Sequence, residues 1–193
     1  MSIVFNKSKI LSLDDESFRS ELLNIASKIK DVIPLGRGDP DFHTPKHIVE
    51  AAKKALDENK HHYTSPNGLP ELRNAISENF KEKYSLNYKE NEIIVTAGVQ
   101  ESITLAMLSL LETDDEVLIT SPRFTTYDLT VRMCNAKPIP VPTYEDDNFA
   151  LMPDTIEKKI NSKTKLIVLV SPNNPTGAVT PPENIKKIAE IAI

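Results

Sequence analysis

Apolar residues recur along this chain with two periods, and the switches between them mark the elements. Phe18, Leu22, Ile25 and Ile29 fall three and four apart, which predicts a helix near Ser17–Lys30 with one apolar stripe. "IPLGRGDPDFHTP" then reads as loop. Thr44 is the expected N-cap of a helix with Pro45 at its first position, and Ile48, Val49, Ala52 and Leu56 form its expected buried face. A second loop, "HHYTSPNGLP", leads to a helix with Leu69, Leu72, Ile76 and Phe80 on one side.

From there the pattern alternates regularly. "NEIIVTAG" predicts a strand, and "VQESITLAMLSLL" a helix that is apolar nearly all round. "DDEVLITSP" predicts a strand, followed by a helix through Tyr127, Leu129 and Met133. "KPIPVP" is a short strand, "MPDTIEKKI" a short helix, "TKLIVLVSP" a strongly buried strand, and "PPENIKKIAEIAI" a helix with a double-proline start. Strands apolar on both faces that alternate with helices predict an α/β fold: a mostly parallel sheet sandwiched by helices. No internal repeat interrupts the pattern. The last helix carries an apolar face up to Ile193 with no C-cap glycine, from which we expect a chain cut within a larger domain. The expected division is an N-terminal arm and loop over 1–40 and an incomplete large domain over 41–193.

Composition narrows the picture further. The 193 residues are 39% hydrophobic and 26% charged, enough for a real core. The net charge of -5 and the lack of a basic block argue against nucleic acid as a partner. No apolar run reaches the ~18 residues of a membrane span, and the start lacks the pattern of a signal peptide. The expected location is cytoplasmic. A lone cysteine, Cys134, has no internal disulfide partner and reads as a free buried thiol. With 14 prolines but only 5 glycines, each glycine is expected where the backbone needs special angles or close approach.

Four loops carry candidate chemistry. In "TAGVQES" (96–102), Gly98 lets a ligand approach the backbone, and the helix that follows offers free N–H groups and a favourable dipole to an anion. A plain strand–helix turn would look the same, and the spacing matches neither a dinucleotide fingerprint nor a P-loop. In "SPRFTTY" (121–127), Phe124 and Tyr127 stand three apart and either present a flat face to a ring or serve as core aromatics. In "SPNNPTG" (171–177), Asn174 offers an amide at a strand end, and its bond to Pro175 is open to the cis form; the alternative is a turn that merely ends the strand. In "LGRGDPDF" (35–42), Gly38 offers an N–H to a carboxylate, while Arg37 and Asp41 suit a surface pair. Tyr63 lies beside His61 and His62, which have no metal-ligand spacing with other residues and read as solvent-facing.

In this order and spacing, "GRGDPDFHTP", "HYTSPNGLPELRNAI", "IIVTAGVQESI", "DEVLITSPRFTTY" and "SPNNPTGAV" resemble the class I/II aminotransferases of the aspartate aminotransferase fold, which are fold-type I pyridoxal-phosphate enzymes. The resemblance runs from about Ile33 to the end. It implies that the backbone of Gly98, Val99 and Gln100 holds the phosphate of pyridoxal 5'-phosphate. It implies that Phe124 stacks on the pyridine ring with Tyr127 close by, and that Asn174 hydrogen-bonds the phenolic oxygen. It further implies that Gly38 lies near the substrate carboxylate, and that Tyr63 reaches the phosphate of a neighbouring subunit, hence a homodimer with shared sites. The substrates implied are an amino acid and a 2-oxo acid.

The family's cofactor lysine, its aspartate under the pyridine nitrogen and its carboxylate-binding arginine follow the segment that "SPNNPTG" matches. No catalytic residue is therefore expected in this chain, and Lys163 and Lys165 read as solvated residues where a strand begins. The same loops serve lyases, cyclopropane-forming synthases and decarboxylases of this fold. A cofactor-binding transcriptional regulator would carry a basic DNA-binding segment ahead of Ser17, and none is visible. A short phosphate-binding or structural protein is the remaining rival.

Overall fold

The computed structural model of the chain describes residues 21, 22, 24–33, 38 and 40–193. It divides into two compact units, one ending at Thr96 and one running from Ala97 to Ile193.

The first unit contains α1 (Lys46–Asp57), α2 (Pro70–Tyr84) and a single 3-10 turn at Glu90–Glu92. Glu21, Leu22 and Asn24–Ala26 are helical, while much of the helix expected near Ser17–Lys30 lies outside the described residues. Helix α1 begins one residue later than its sequence suggests. Pro45 occupies the cap position at φ -52 and ψ 137, and no side chain caps the helix. The extended ψ excludes Pro45 from the first helical turn, although its fixed φ would have suited either position. The apolar stripe of α1 exists but is not buried: Ile48, Val49, Ala52 and Leu56 are all exposed. On α2, Ile76 and Phe80 are half-buried and Leu72 is exposed, as is Leu69 at the cap. The aromatic ring of Phe80 meets Tyr84 and Tyr88 at centroid separations of 6.0 and 5.9 Å.

Arg73 is the one buried residue among those described in this unit. Its guanidinium binds the Glu90 carboxylate at 2.5 Å and donates to the Glu90 carbonyl at 3.3 Å, while Nε is buried without a partner. Gly68 closes a turn by donating to the Ser65 carbonyl at 2.9 Å. Its φ is +96°, and a Cβ there would lie 2.7 Å from the Val95 side chain, so both backbone angle and space demand glycine. Of the strand expected over 91–98, residues 91–92 fall in the 3-10 turn, and 93–96 pair with no strand among the described residues. The Val95 N–H goes instead to the Asn67 carbonyl at 3.0 Å. An extended run is not a strand until a neighbour supplies a ladder.

The second unit is a three-layer α/β arrangement. After α3 (Val99–Leu110) come β1 (Glu116–Ser121), α4 (Thr126–Met133), β2 (Lys137–Pro142), α5 (Pro153–Glu157), β3 (Thr164–Val168) and α6 (Pro182–Ile191). The sheet order is β2-β1-β3 and both pairings are parallel. Side chains of a strand alternate between faces, and β1 uses both. Val117 and Ile119 pack with Met107, Leu111, Val131 and Ala136 under α3 and α4. Leu118 packs with Val141, Leu151, Ile156 and Ile188 toward α5 and α6. Each such burial contributes about 1.5–3 kcal/mol, which makes β1 the hub of the fold. Among the described residues β3 pairs only with β1, and Leu166–Val168 are half-buried rather than deep, contrary to the strongly buried strand expected of this run. The apolar residues of α3 also divide: Met107 is buried, whereas Val99, Leu105, Leu108 and Leu110 are exposed.

Candidate functional site

Parallel strands deliver their carboxyl ends to one edge of the sheet, where open α/β sheets present ligand-binding loops. The loop after β1 is 122–125, and the segment after β3 is 169–181. The start of α3 joins them. Gln100 Nε2 donates to Thr126 Oγ1 at 3.1 Å, which ties the α3 N-terminus to that of α4. Asn173 Nδ2 donates to the Pro122 carbonyl at 3.2 Å, which ties the β3 loop to the β1 loop. Three of the four expected loops are thereby linked in one unit.

Gly98 is the N-cap of α3 at φ 94 and ψ 167, a conformation essentially confined to glycine. No atom lies within 4 Å of a Cβ built there, so angle rather than crowding imposes the glycine. Val99 and Gln100 follow in the first turn, whose N–H groups have no intrahelical acceptor. Glu101 reaches back to accept the Ala97 N–H at 2.5 Å, one residue before the Gly98 cap, while no side chain caps the helix itself.

Phe124 is half-buried and belongs to neither core cluster. Tyr127 is half-buried and packs against the Met107–Val131 cluster, as a core aromatic does. Flanking them, a two-pronged ion pair stiffens the loop. Arg123 Nε and one terminal nitrogen each meet an Asp128 carboxylate oxygen at 2.5 Å, and another donates to the Thr120 carbonyl at 3.5 Å. The Asp128 hydrogen bonds raise the Arg123 guanidinium above its usual value, so its charge is fixed at any working pH.

Asn174 is exposed at the loop tip and its peptide bond to Pro175 is cis, as are Ser121–Pro122 and Ser171–Pro172. The neighbouring Asn173, which the sequence reading passed over, is only 7% exposed and carries the loop's hydrogen bonds. The doubled asparagine does not say which amide turns inward, and the buried one is satisfied internally.

Gly38 and Tyr63 lie in the first unit. Gly38 shows neither a positive φ nor a neighbour within 4 Å of a built Cβ, so the conformational demand expected of it is absent here. Tyr63 is fully exposed, and His61 and His62, whose rings stand 4.9 Å apart, are exposed as well. Arg37 and Gly36 lie outside the described residues. Among the described residues no cluster could hold a metal ion, and no helix is long and apolar enough to cross a membrane. Lys163 and Lys165 are exposed. Cys134 is a free, half-buried thiol that burial pushes up from its usual value.

Comparison with known proteins places the chain in a family with this fold. The model of the family described as aminotransferase class I and II matches residues 30–192. An aspartate aminotransferase of Pyrococcus horikoshii is 45% identical over 188 residues, covering 97% of this chain and 48% of the relative. Aromatic-amino-acid aminotransferase 2 of Thermococcus litoralis is 40% identical over 174 residues, covering 90% of this chain and 45% of the relative. Among solved structures, the aspartate aminotransferase from Thermus thermophilus with maleate superposes with a TM-score of 0.90 at 33% identity, covering 98% of this chain and 50% of that one. The chain spans about half the length of the curated relatives it matches.

Proposed function

From the premise that this chain belongs to the class I and II aminotransferases, we propose that the whole protein is a pyridoxal-phosphate-dependent aminotransferase. It moves an amino group between an amino acid and a 2-oxo acid. The observation that carries this reading is the linkage of three loops at one end of the sheet through Gln100–Thr126 and Asn173–Pro122. In this reading residues 41–193 belong to the cofactor-binding domain, and residues 1–40 form the arm and substrate loop.

The residues fit the cofactor. Gly98 leaves open space over its backbone at a helix start, where Val99 and Gln100 would hold a phosphate dianion by N–H donation and the helix dipole. Phe124, outside the core clusters, would cover the pyridine ring and exclude water, with Tyr127 behind it. Asn174, exposed at the loop tip, would donate its amide to the phenolic oxygen. When bound, pyridoxal phosphate supplies the electron sink that stabilises charge at the substrate α-carbon. The residues of this chain bind and orient; none of those at the site is suited to move the proton, so we assign no catalytic residue here.

Gly38 is proposed near the substrate carboxylate. Tyr63, fully exposed in the first unit, is proposed to reach the phosphate of a second subunit in a homodimer. Two of the three relatives described are named for aspartate, which makes aspartate the first donor to test. Cytoplasmic location belongs to the same proposal.

The test is product analysis with the complete protein, pyridoxal phosphate, an amino donor and a 2-oxo acid. Aminotransfer yields a new amino acid and the donor's keto acid in equal amounts. Ammonia with pyruvate would mark a lyase of the same fold and overturn the assignment.

A further inference from the structure

The two loops that carry Phe124 and Asn174 leave the sheet before they reach the site. The β1–β3 ladder closes at the pair Ile119 and Val168, and Thr120 and Ser121 then pair only with β2. The chain after β3 runs on through Leu169, Val170, Ser171 and Pro172 outside any strand. Something other than the ladder therefore sets the spacing of the two loops.

Asn173 occupies that gap. Its Nδ2 donates to the Pro122 carbonyl at 3.2 Å and to Thr176 Oγ1 at 3.0 Å, and its Oδ1 accepts from Thr120 Oγ1 at 3.5 Å. Facing a carbonyl that can only accept, the amide presents its NH2 edge, so its orientation is set by the network. The main chain adds a second fixture. The Asn173 N–H donates to the Ala178 carbonyl at 2.8 Å, and the Asn173 carbonyl accepts from the Gly177 N–H at 2.7 Å. The peptide that leads into Asn174 is thus held on its Asn173 side, and the Asn173 side chain holds that same point against Pro122, two residues before Phe124.

We propose that Asn173 is a positioning residue that fixes the Asn174 amide and the Phe124 ring in one frame around the bound cofactor. The inference rests on the pyridoxal-phosphate reading above. It assigns Asn173 no contact with the cofactor; the residue acts through Asn174. Thr176 completes the device, because its hydroxyl also accepts the Ala178 N–H at 3.2 Å.

The experiment uses the complete protein loaded with pyridoxal phosphate. Two quantities are read: the dissociation constant for the cofactor, and the pH at which the bound cofactor's absorbance titrates. Asn174→Ala shifts that pH, since it removes the donor to the phenolic oxygen. Asn173→Ala shifts it in the same direction and weakens binding about tenfold, the weight of one or two lost hydrogen bonds. In the double variant the shifts fail to add. Thr176→Val, which leaves Asn173 in place, gives a smaller shift of the same sign, and Thr176→Ser restores the wild-type value. A folded Asn173→Ala protein with the wild-type titration, or shifts that add in full, overturns the inference. If Asn173→Ala does not fold, the Thr176 pair decides by the same criterion. A wild-type protein that binds no pyridoxal phosphate overturns the functional reading, and this inference with it. Normal binding with an uncoupled Asn173 overturns this inference alone.

Discussion

The two units of this chain use their apolar residues differently. In the second unit β1 alone places Val117, Leu118 and Ile119 at 1% exposure or less, and helices cover both of its faces. In the first unit, α1 has an equally clear apolar stripe, yet none of its residues is buried, and the one buried side chain described is a charged one, Arg73. Periodicity states which face of an element is apolar. Burial requires a second surface to meet it, and a local pattern carries no information on whether that surface is present. The loops of Gly98, Phe124 and Asn174 belong to the unit with the core, whereas Tyr63 lies in the first unit. This follows physically, since loops that must hold a ligand to a fraction of an ångström need rigid elements beneath them.

The comparison breaks most visibly at the hydrophobic positions. Leu118→Ala is expected to destabilise the second unit by about 2–5 kcal/mol, as a truncation in a closed core does. Leu56→Ala, at 63% exposure, should cost no more than about 0.5 kcal/mol. Urea titration of both variants checks this, and equal costs would mean that the α1 stripe is covered.

Next in size is the ion pair of the first unit. Arg73→Ala leaves Glu90 without its partner in a half-buried position and should cost about 2–3 kcal/mol. Glu50→Ala, which removes the exposed Lys53–Glu50 pair, should cost under about 0.5 kcal/mol. Thermal unfolding separates the two, and a neutral Arg73→Ala would show that Arg73 does not hold its unit together.

A smaller effect is expected at the glycines. Gly98→Ala forces a side chain to φ 94 and should cost about 1–2 kcal/mol, while Gly38→Ala stays within about 0.5 kcal/mol. Matched denaturation curves test the difference.

The mildest prediction concerns Cys134. Only the thiolate reacts, and burial raises this thiol's pKa, so fewer molecules carry the thiolate at a given pH. Alkylation at pH 8 should be slower in the folded protein than in urea, and the gap should narrow as pH rises through the raised value. Equal rates at pH 8 would contradict the half-buried placement.

Much of the second unit was legible in its sequence. "KPIPVP" coincides with β2 residue for residue, and the double proline marks the start of α6. Strong alternation of apolar strands and helices is local information, so it survives reading one segment at a time. The failures are non-local. Among the described residues, 93–96 have strand composition but no ladder partner, and β3 is apolar yet lies beside one neighbour. At the site, the loops and Gly98 were visible because special backbone angles leave a compositional trace. Asn173 was hidden beside Asn174, since nothing in two adjacent asparagines says which one turns inward. Tyr127 was read as a flat face or a core aromatic, and its packing against the Met107 cluster is that of the latter.

The central claim is that the three linked loops of the second unit grip pyridoxal phosphate. The most direct measurement is the dissociation constant of pyridoxal phosphate from the complete protein, for the wild type, Phe124→Ala, Asn174→Ala and the exposed control Phe42→Ala. The account predicts losses of about tenfold or more for Phe124→Ala and Asn174→Ala, as expected for a stacking face and a hydrogen bond to a charged oxygen. It predicts a change within about twofold for Phe42→Ala. Wild-type affinity in both loop variants, or a loss confined to Phe42→Ala, would contradict it.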